Sequence, residues 1–402
     1  MTLTDDARTE ASARPAPPEP FYTEDHEAYR ETVREFLKRE VLPNYEAWEE
    51  ARLIDRTAWL AAGEAGMVGL AIPEEYGGAG ELDRRYRMVF SEEIARANTT
   101  SFGVGLGLQD DIITPYFLHI GTEDQKQRFL PGLASAELIG AVAMTEPGTG
   151  SDLQGIRTSA VRDGDDWILN GQKTFISSGI QADFAIVVAR TDPDAGSRGF
   201  SLFLVETGTP GFERGRKLDK VGIIGQDTAE LFFRDVRVPA ENVMGEIGGG
   251  MGYLMQNLPL ERLGIAMASL AGAEAALEWT LDYVYQRRAF GQRIGDFQNT
   301  RFELAEIETE VDVARAYLER AILKFNAGVL TTVEASKAKW YISELQQRVV
   351  YRCQQLFGGY GFMLEYPIGR AYRDARIQTI YGGTTEIMKE IIGRAQAARY
   401  RD

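Results

Sequence analysis

One stretch organises the chain: Ala141-Val142-Ala143-Met144-Thr145-Glu146-Pro147-Gly148-Thr149-Gly150-Ser151-Asp152. The apolar run from Leu138 to Met144 ends abruptly in small, polar and turn-forming residues, which is typical of a strand that delivers its backbone to a ligand. Gly148 and Gly150 permit close approach and a positive φ. Their N–H groups, with the Thr145 and Ser151 hydroxyls, can donate to carbonyl or phosphate oxygens. Taken alone, the glycines favour a plain strand and turn.

A second stretch shifts the balance towards a ligand site: Asn170-Gly171-Gln172-Lys173-Thr174-Phe175-Ile176-Ser177-Ser178-Gly179. Phe175 and Ser177 stand two residues apart on a predicted strand, so both side chains point to one face. A flat heteroaromatic ring needs a face to stack on and a donor for a ring nitrogen. On their own, Phe175 is more typical of a core aromatic and Ser177 of a surface hydroxyl.

The composition bounds the function. The 402 residues predict two or three domains, and 44% hydrophobic with 26% charged residues is typical of a soluble globular protein. A net charge of −16 argues against nucleic acid or an anionic membrane as a partner. An anionic substrate would need local basic groups to offset that field.

Cysteine and histidine are scarce. One cysteine, Cys353, excludes an internal disulfide framework and indicates a reducing compartment. His26 and His119 lack metal-ligand spacing, so we expect no zinc site and no histidine-based triad. No apolar run reaches the length of a membrane span. The N-terminus lacks a hydrophobic segment and contains Asp5 and Asp6, so we predict a cytoplasmic protein without a targeting signal.

The layout predicts an α+β fold. Residues 1–20 are rich in Ala, Pro and Thr, which predicts a disordered tail. We predict a helical domain over residues 21–137, a β domain over 138–246 and a helical bundle over 247–402. Predicted helices span Thr57–Ala65, Leu82–Ala97 and Gln125–Leu133. Predicted strands include Trp167–Leu169, Phe184–Val188, Phe200–Val205 and Leu231–Phe233, with hairpin signals at Gly164-Asp165 and Asn170-Gly171. Two apolar stripes indicate long bundle helices: Ile307, Val311, Ala314, Leu318, Ala321 and Phe325, then Ile342, Leu345, Val349, Cys353 and Leu356.

Nucleotide-binding fingerprints are absent from the sequence. Lys173 lies outside a Walker frame, and no G-x-G-x-x-G pattern follows a predicted strand. The glycines at 103, 105 and 107 therefore favour close helix packing over a phosphate loop. A dinucleotide, if one binds, must do so between domains.

The two quoted stretches resemble the flavin-binding signatures of the acyl-CoA dehydrogenase family, and the similarity runs from about Phe21 to the C-terminus. The long-chain type gives the closest pattern. The resemblance implies a helical domain, a β-barrel-like middle domain and a C-terminal four-helix bundle. It also implies FAD as cofactor, α,β-dehydrogenation of an acyl-CoA to a trans-2-enoyl-CoA, and an electron-transfer flavoprotein as partner.

The catalytic base departs from the commonest family motif, Tyr-Glu-Gly-Thr. This chain has Tyr381-Gly382-Gly383-Thr384-Thr385-Glu386, and glycine cannot abstract a proton. The long-chain and isovaleryl types place the glutamate on an earlier helix, beside an arginine, and Leu258-Pro259-Leu260-Glu261-Arg262-Leu263 matches that arrangement. We therefore hypothesise that Glu261 is the base, although an isolated Glu-Arg pair is usually a solvated surface pair. A carboxylate base requires an apolar pocket that raises its pKa.

The resemblance assigns the remaining site residues. The Gly382 N–H would bind the thioester carbonyl, which needs hydrogen bonds as enolate charge grows. Ser151, Arg262 and Gly383 would contact substrate. Arg287 would bind the FAD pyrophosphate, although a cation ending a helix also complements the helix dipole. The predicted FAD contacts are Met144, Thr145, Gly150, Ser151, Phe175, Ile176, Ser177, Arg287, Phe290, Gln298, Gln355, Leu356, Gly358, Gly359, Thr384, Thr385 and Glu386.

In relatives the segment around Arg287, Gln298 and Gln355–Gly359 reaches the FAD of a neighbouring subunit, which implies a homotetramer built as a dimer of dimers. The expected substrates are medium-length, long or branched acyl chains. Two alternatives stay open: an acyl-CoA oxidase-like flavoenzyme, against which the chain length weighs, and a catalytically silent homologue that binds FAD or acyl-CoA.

Overall fold

The computed structural model describes residues 20–400, so the tail predicted at 1–20 lies outside the described residues except for Pro20. Helices fill the first third of this range. Thr23 begins the first one, where its backbone N–H donates to His26 Nδ1 at 3.1 Å. The helices are α1 (Glu24–Phe36), α2 (Tyr45–Ala51), α3 (Arg56–Glu64), α4 (Arg84–Arg96), α5 (Thr100–Leu108), α6 (Thr114–Ile120) and α7 (Glu123–Ala134), with π-helical turns at Leu37–Val41 and Gln109–Ile113.

The middle third forms a sheet that is eight-stranded within residues 20–400. Its strands are β1 (Gly140–Ala143), β2 (Ser159–Asp163), β3 (Asp166–Ser177), β4 (Phe184–Arg190), β5 (Phe200–Glu206), β6 (Phe212–Lys217), β7 (Thr228–Val238) and β8 (Val243–Met244). The order is β6-β7-β3-β2-β4-β5-β8, and β1 pairs in parallel with β4. The central strands β4 and β5 are almost fully buried, because side chains cover both of their faces.

Long helices form the last third. They are α8 (Gly250–Gln286), α9 (Gln298–Asn326), α10 (Thr332–Phe357), α11 (Pro367–Ala375) and α12 (Thr385–Ala398), and a short hairpin, β9 (Arg288–Ala289) with β10 (Gln292–Arg293), separates α8 from α9. One apolar core joins α8, α9 and α10, and it also includes Met88 of α4. Both predicted stripes lie in this core, with Phe325 and Leu356 at its partly buried edge. The predicted fold class is confirmed.

Most sequence-based element predictions agree with the structure, and the differences have physical causes. The three predicted helices match α3, α4 and α7 within two residues. Gly164-Asp165 does connect the β2–β3 hairpin, but Asn170-Gly171 lies inside β3 at a register shift rather than at a turn. The sequence analysis missed β6, whose charged residues suit its place at the edge of the sheet. Close helix packing at Gly103 is confirmed, since an added methyl group would lie 2.5 Å from Ile94.

Candidate active site

A buried ion pair ties the turn after β1 to β3. Lys173 Nζ donates to Glu146 Oε1 at 2.9 Å and to the Met144 carbonyl at 3.0 Å. The backbone N–H groups of Arg157 and Thr158 also donate to the Glu146 carboxylate, at 2.7 and 2.9 Å. Such charge-assisted bonds are strong in a buried setting, so the turn has a fixed base.

Gly148 and Gly150 do not adopt the positive φ that glycine permits. The turn closes without it, because the backbones of Glu146 and Thr149 exchange hydrogen bonds of 3.0 and 3.1 Å. A methyl group built on Gly148 meets no atom within 4 Å, and one on Gly150 meets only the Thr145 side chain at 4.0 Å. The protein thus leaves open space in front of exposed backbone here, which fits a bulky cofactor.

Phe175 stands at an irregularity of β3. Its φ is +60°, in the left-handed region, and the pairing of β3 with β7 shifts register between Lys173 and Ile176. The ring is 68% exposed, although it belongs to one of the most apolar residue types. A strained, exposed aromatic ring is an observation that points to function, and its free face fits a flat heteroaromatic group.

The neighbours of Phe175 refine the predicted flavin contacts. Ile176 is buried, so its side chain faces the sheet interior and only its backbone is available to a cofactor. Ser177 is partly exposed, which leaves its hydroxyl accessible. The Thr174 N–H donates to the Thr145 carbonyl at 2.9 Å. This bond brings the two quoted stretches side by side, as the ligand interpretation requires.

Glu261 is a buried carboxyl group on α8, not the solvated surface group of the alternative interpretation. Burial raises its pKa to about 7; Arg262 opposes this effect and Asp111 adds to it. Glu261 Oε1 has no hydrogen-bond partner within residues 20–400. A buried carboxylate with a pKa near neutrality and a free oxygen can accept a proton from carbon at physiological pH.

Tyr116 of α6 lies close enough to Glu261 to sense its charge. Burial and then the Glu261 carboxylate raise the pKa of Tyr116 well above its usual range. One turn before Glu261 on α8, Asn257 Oδ1 lies 2.8 Å from His119 Nδ1. Tyr116, Asp111 and Arg262 are therefore the groups that lie near enough to the base to interact with its charge.

The Gly382–Gly383 loop approaches α8 beside Glu261. Gly382 and Gly383 have φ of +62° and +96°. A methyl group on Gly382 would lie 2.2 Å from Ile265 Cδ1, and Ile265 follows Glu261 by one helical turn. No side chain can therefore stand at 382 without displacing Ile265. The Gly382 N–H forms no hydrogen bond within the described residues, so it is free to bind a ligand oxygen.

The start of α12 anchors the same loop. Thr384 is its N-cap, accepting from the Ile387 N–H at 3.4 Å, and Glu386 follows in the first turn. The Thr385 hydroxyl is buried and donates to Glu344 at 2.7 Å. Because the hydroxyl proton of Thr385 is already used, its side chain can only accept a hydrogen bond from a cofactor.

Arg262, a predicted substrate contact, is buried and does not project into solvent. Its Nε has no partner within residues 20–400, and one guanidinium nitrogen lies 3.4 Å from Ser336 Oγ of α10. Burial lowers its pKa, against the effect of Glu261. Arg262 is thus a buried positive charge between α8 and α10.

The remaining predicted FAD residues gather where α8 and α10 end. The Arg287 guanidinium lies 6.0 Å from the Tyr360 ring centre, and Tyr283 donates to the Phe357 carbonyl at 3.3 Å. Phe290 is 94% exposed and has a positive φ. Gln298, Gln355, Gly358 and Gly359 are also exposed, and Leu356 is partly exposed. An exposed aromatic ring beside free polar groups suits contact with something outside this chain.

Three features near the site were not predicted: Lys339, Ile265 and the Lys173–Glu146 pair. Lys339 could have been found, because it falls on the buried face of α10 marked by Ala335, Ala338 and Ile342. A charged residue in a core stripe is unusual enough to indicate a role. Ile265 carries no such signal, since an apolar residue on a buried helix is ordinary.

Other kinds of site find no support in the part of the chain that the structure describes. Residues 20–400 contain no group of three or more His, Cys, Asp or Glu that could hold a metal ion. Among the same residues, no helix is long and apolar enough to cross a membrane. A large surface cleft between the start of α7 and residues 240–245 includes none of the predicted site residues.

Three family profiles cover most of the chain. Residues 23–137 match the N-terminal domain of acyl-CoA dehydrogenase, 141–236 the middle domain and 248–397 the C-terminal domain. The chain is 48% identical to the mitochondrial long-chain specific acyl-CoA dehydrogenase of Sus scrofa, over 93% of this chain and 87% of that protein. It is 36% identical to the mitochondrial isovaleryl-CoA dehydrogenase of Solanum tuberosum, over 93% and 91% of the two chains.

Solved structures agree with these matches. An acyl-CoA dehydrogenase from Geobacillus kaustophilus superposes with a TM-score of 0.91 at 48% identity, over 93% of this chain and 98% of that one. A glutaryl-CoA dehydrogenase from Mycobacterium smegmatis in complex with FADH2 gives 0.88 at 30%, over 94% and 96%. A chain in a structure of the electron-transferring flavoprotein of Acidaminococcus fermentans gives 0.89 at 36%, over 93% and 98%.

Proposed function

This chain belongs to the acyl-CoA dehydrogenase family of FAD-dependent oxidoreductases, and from that premise we propose that it oxidises medium-length, long or branched acyl-CoA thioesters to trans-2-enoyl-CoA. The electrons then pass to an electron-transfer flavoprotein. The similarity to long-chain and isovaleryl-CoA dehydrogenases supports the substrate class. The match to a chain in an electron-transferring flavoprotein structure supports the partner.

One observation carries this proposal: a buried glutamate with a free oxygen lies beside a loop with a free backbone donor. Glu261 takes the proton from the α-carbon, and its pKa of about 7 makes it basic enough for that step yet largely ionised above neutral pH. The Gly382 N–H donates to the thioester oxygen as negative charge grows there. The bound FAD supplies the acceptor for the hydride that leaves the β-carbon, so that a C=C bond forms.

The positions of the other predicted contacts are consistent with this reaction. Phe175 and Ser177 offer an exposed ring and an accessible hydroxyl for the flavin. Arg287 and its exposed neighbours at the end of the bundle suit a cofactor held by an adjacent subunit, so we propose a homotetramer built as a dimer of dimers. The cytoplasmic location stays a prediction.

An anaerobic titration tests the function. Acyl-CoAs of graded length and branching are added to the purified protein, and the visible absorbance of oxidised flavin is followed. We expect bleaching with a preference for medium-length, long or branched chains, at a rate that rises with pH through about 7 as Glu261 loses its proton. Glu261→Gln should retain FAD and lose bleaching.

Three results would contradict the proposal in whole or in part. Bound FAD without bleaching by any thioester would favour the silent homologue. Rapid reoxidation of the substrate-reduced flavin by air would favour an oxidase. Wild-type turnover in Glu261→Gln would remove the role of Glu261.

A further inference from the structure

Lys339 is a buried cation that the reaction scheme above does not use. Its side chain is 0% exposed in the middle of α10. Its Nζ donates to the Gly383 carbonyl at 2.7 Å, and among the described residues it forms no salt bridge. Burying an ammonium group without a carboxylate partner is unfavourable, so its retention in a packed core calls for a physical explanation.

The acceptor of that hydrogen bond is the loop that bears the free donor. Gly382 and Gly383 both have positive φ, and glycine restricts backbone conformation less than any other residue. Two successive glycines therefore need external contacts to hold a single conformation. Lys339 supplies one from α10, and Thr385 supplies another through its 2.7 Å bond to Glu344, also on α10.

A second buried cation lies nearby. Arg262 contacts Ser336, which precedes Lys339 on α10 by three residues and therefore shares its face. Within residues 20–400, Arg262 forms no salt bridge either. The acidic groups nearest to Lys339 are Glu344, which accepts from Thr385, and Glu386 at the exposed start of α12. Arg262 thus adjoins the base, and Lys339 adjoins the loop.

We propose that Lys339 is a positioning residue: it holds the Gly383 carbonyl, thereby fixes the Gly382 N–H towards the thioester oxygen, and with Arg262 favours the negative charge that develops there. This inference rests on the proposed function. When Glu261 accepts the α-proton it becomes neutral and no longer offsets the positive charge of Arg262. Charges fixed in advance at the place where charge develops stabilise a transition state without reorganisation.

Two substitutions separate the donor from the charge. Lys339→Met keeps an unbranched side chain and removes both the donor and the charge, whereas Lys339→Gln keeps an N–H donor without charge. Lys220→Met is the matched control. Burial lowers the pKa of both lysines to about 8, and Lys220 donates to the Gln226 carbonyl and to the Thr228 hydroxyl but, among the described residues, to none of residues 380–386.

The holoenzymes are compared in three measurements. The first is amide hydrogen exchange of peptides covering residues 380–386, and the second is kcat against KM. The third is the pH at which bound 3-oxoacyl-CoA ionises, since its enolate resembles the charged state of the reaction. FAD content and thermal unfolding report whether each variant folds.

We expect Lys339→Met to exchange faster than wild type in residues 380–386. Its kcat should fall at least about tenfold with KM little changed, and the bound analogue should ionise about one pH unit higher, as for the loss of a hydrogen bond to a charged group. Lys339→Gln should restore slow exchange but not the ionisation of the analogue. Lys220→Met should match wild type in all three measurements.

The inference is overturned if Lys339→Met matches Lys220→Met in exchange and kcat, or if it changes only FAD content and unfolding temperature. The exchange comparison requires no turnover. It therefore decides whether Lys339 holds the loop even if no acyl-CoA bleaches the flavin, a result that overturns the proposed function alone.

Discussion

Glu261 illustrates a conflict between stability and catalysis within one residue. Its pKa of about 7 in the folded protein exceeds the model-peptide value of 4.5, so folding is opposed wherever the unfolded chain carries the ionised form. Below pH 4.5 the carboxyl is protonated in both states and nothing is lost. The loss in the free energy of unfolding grows between pH 4.5 and 7 and reaches about 3 kcal/mol above pH 7.

Glu261→Gln should therefore stabilise the fold while abolishing turnover. We expect the variant to unfold at a higher temperature or denaturant concentration than wild type at pH 8, with a much smaller difference at pH 5. Glu64→Gln, at an exposed position of α3, serves as the control and should change stability equally at both pH values. An equal gain for Glu261→Gln at pH 5 and pH 8 would show that ionisation is not the cause.

Gly382 is a residue for which two separate costs can be measured. In Gly382→Ala, the alanine must adopt a φ of +62°, and its Cβ would lie 2.2 Å from Ile265 Cδ1. Gly66→Ala meets a nearly identical φ of +67° with no atom within 4 Å. A left-handed non-glycine residue costs about 1 kcal/mol, so Gly66→Ala should lose roughly that, and Gly382→Ala should lose at least about 2 kcal/mol with overpacking added.

Chemical denaturation measures both variants, and Ile265→Ala, alone and combined with Gly382→Ala, completes a cycle that isolates the clash. We expect Gly382→Ala to lose less stability in the Ile265→Ala background than in the wild type. Equal losses for Gly66→Ala and Gly382→Ala would mean that Ile265 yields freely and does not define the space beside the loop.

At the scale of elements, one buried ion pair connects the turn after β1 to β3. Glu146→Gln weakens the bond to Lys173 and leaves that ammonium buried without a countercharge. We expect the protein to unfold at lower temperature and to retain less FAD, measured as flavin absorbance per chain after gel filtration. Asp163→Asn, which breaks an exposed pair with Arg237 on the same sheet, should change neither quantity much. If Glu146→Gln retains as much FAD as Asp163→Asn, this turn does not contribute to cofactor binding.

Sequence reasoning succeeded where periodic burial governs an element and failed where distant packing does. The stripes of α9 and α10 follow directly from the helical period, because those residues are buried along one face. The positive φ of Phe175 depends on a register shift against β7, more than 50 residues away along the chain, so no local pattern announces it. The role of Lys339 likewise depends on a carbonyl 44 residues later.

The site shows the same division. The resemblance indicated Glu261, and its burial and pKa fit the predicted role, which itself stays a prediction. The turn that contains Gly148 and Gly150 closes without the positive φ that glycine permits, through backbone hydrogen bonds between Glu146 and Thr149. A glycine in a sequence permits an unusual conformation but does not require it.

At the scale of the whole molecule, positive charges without salt bridges are buried at the site although the net charge of the chain is negative. The chain carries −16 overall, yet two cations without salt bridges in the described residues are buried at the site: Arg262 next to the proposed base and Lys339 against the loop. Exposed groups contribute little locally, because water and salt screen them within about 10 Å. Buried Arg262 and Lys339, together with buried Asp111, therefore act on a bound thioester more strongly than the acidic surface does.

The assembly offers the last prediction, since the predicted cofactor contacts divide into two groups. One lies around Phe175 and Glu261, and the other, around Arg287, lies exposed at the end of the bundle. If Arg287 binds the FAD of a neighbouring subunit, then Glu261→Gln and Arg287→Glu, each inactive alone, should recover activity when co-expressed. The Arg287→Glu subunit retains its own Glu261 and receives an intact Arg287 from its Glu261→Gln neighbour, so one kind of site per mixed pair is complete. If Arg287 instead serves its own subunit, every site in a mixed pair carries one defect. Differential tags and light scattering verify that mixed oligomers have formed. If their activity stays at the level of the separate variants, the shared site is excluded.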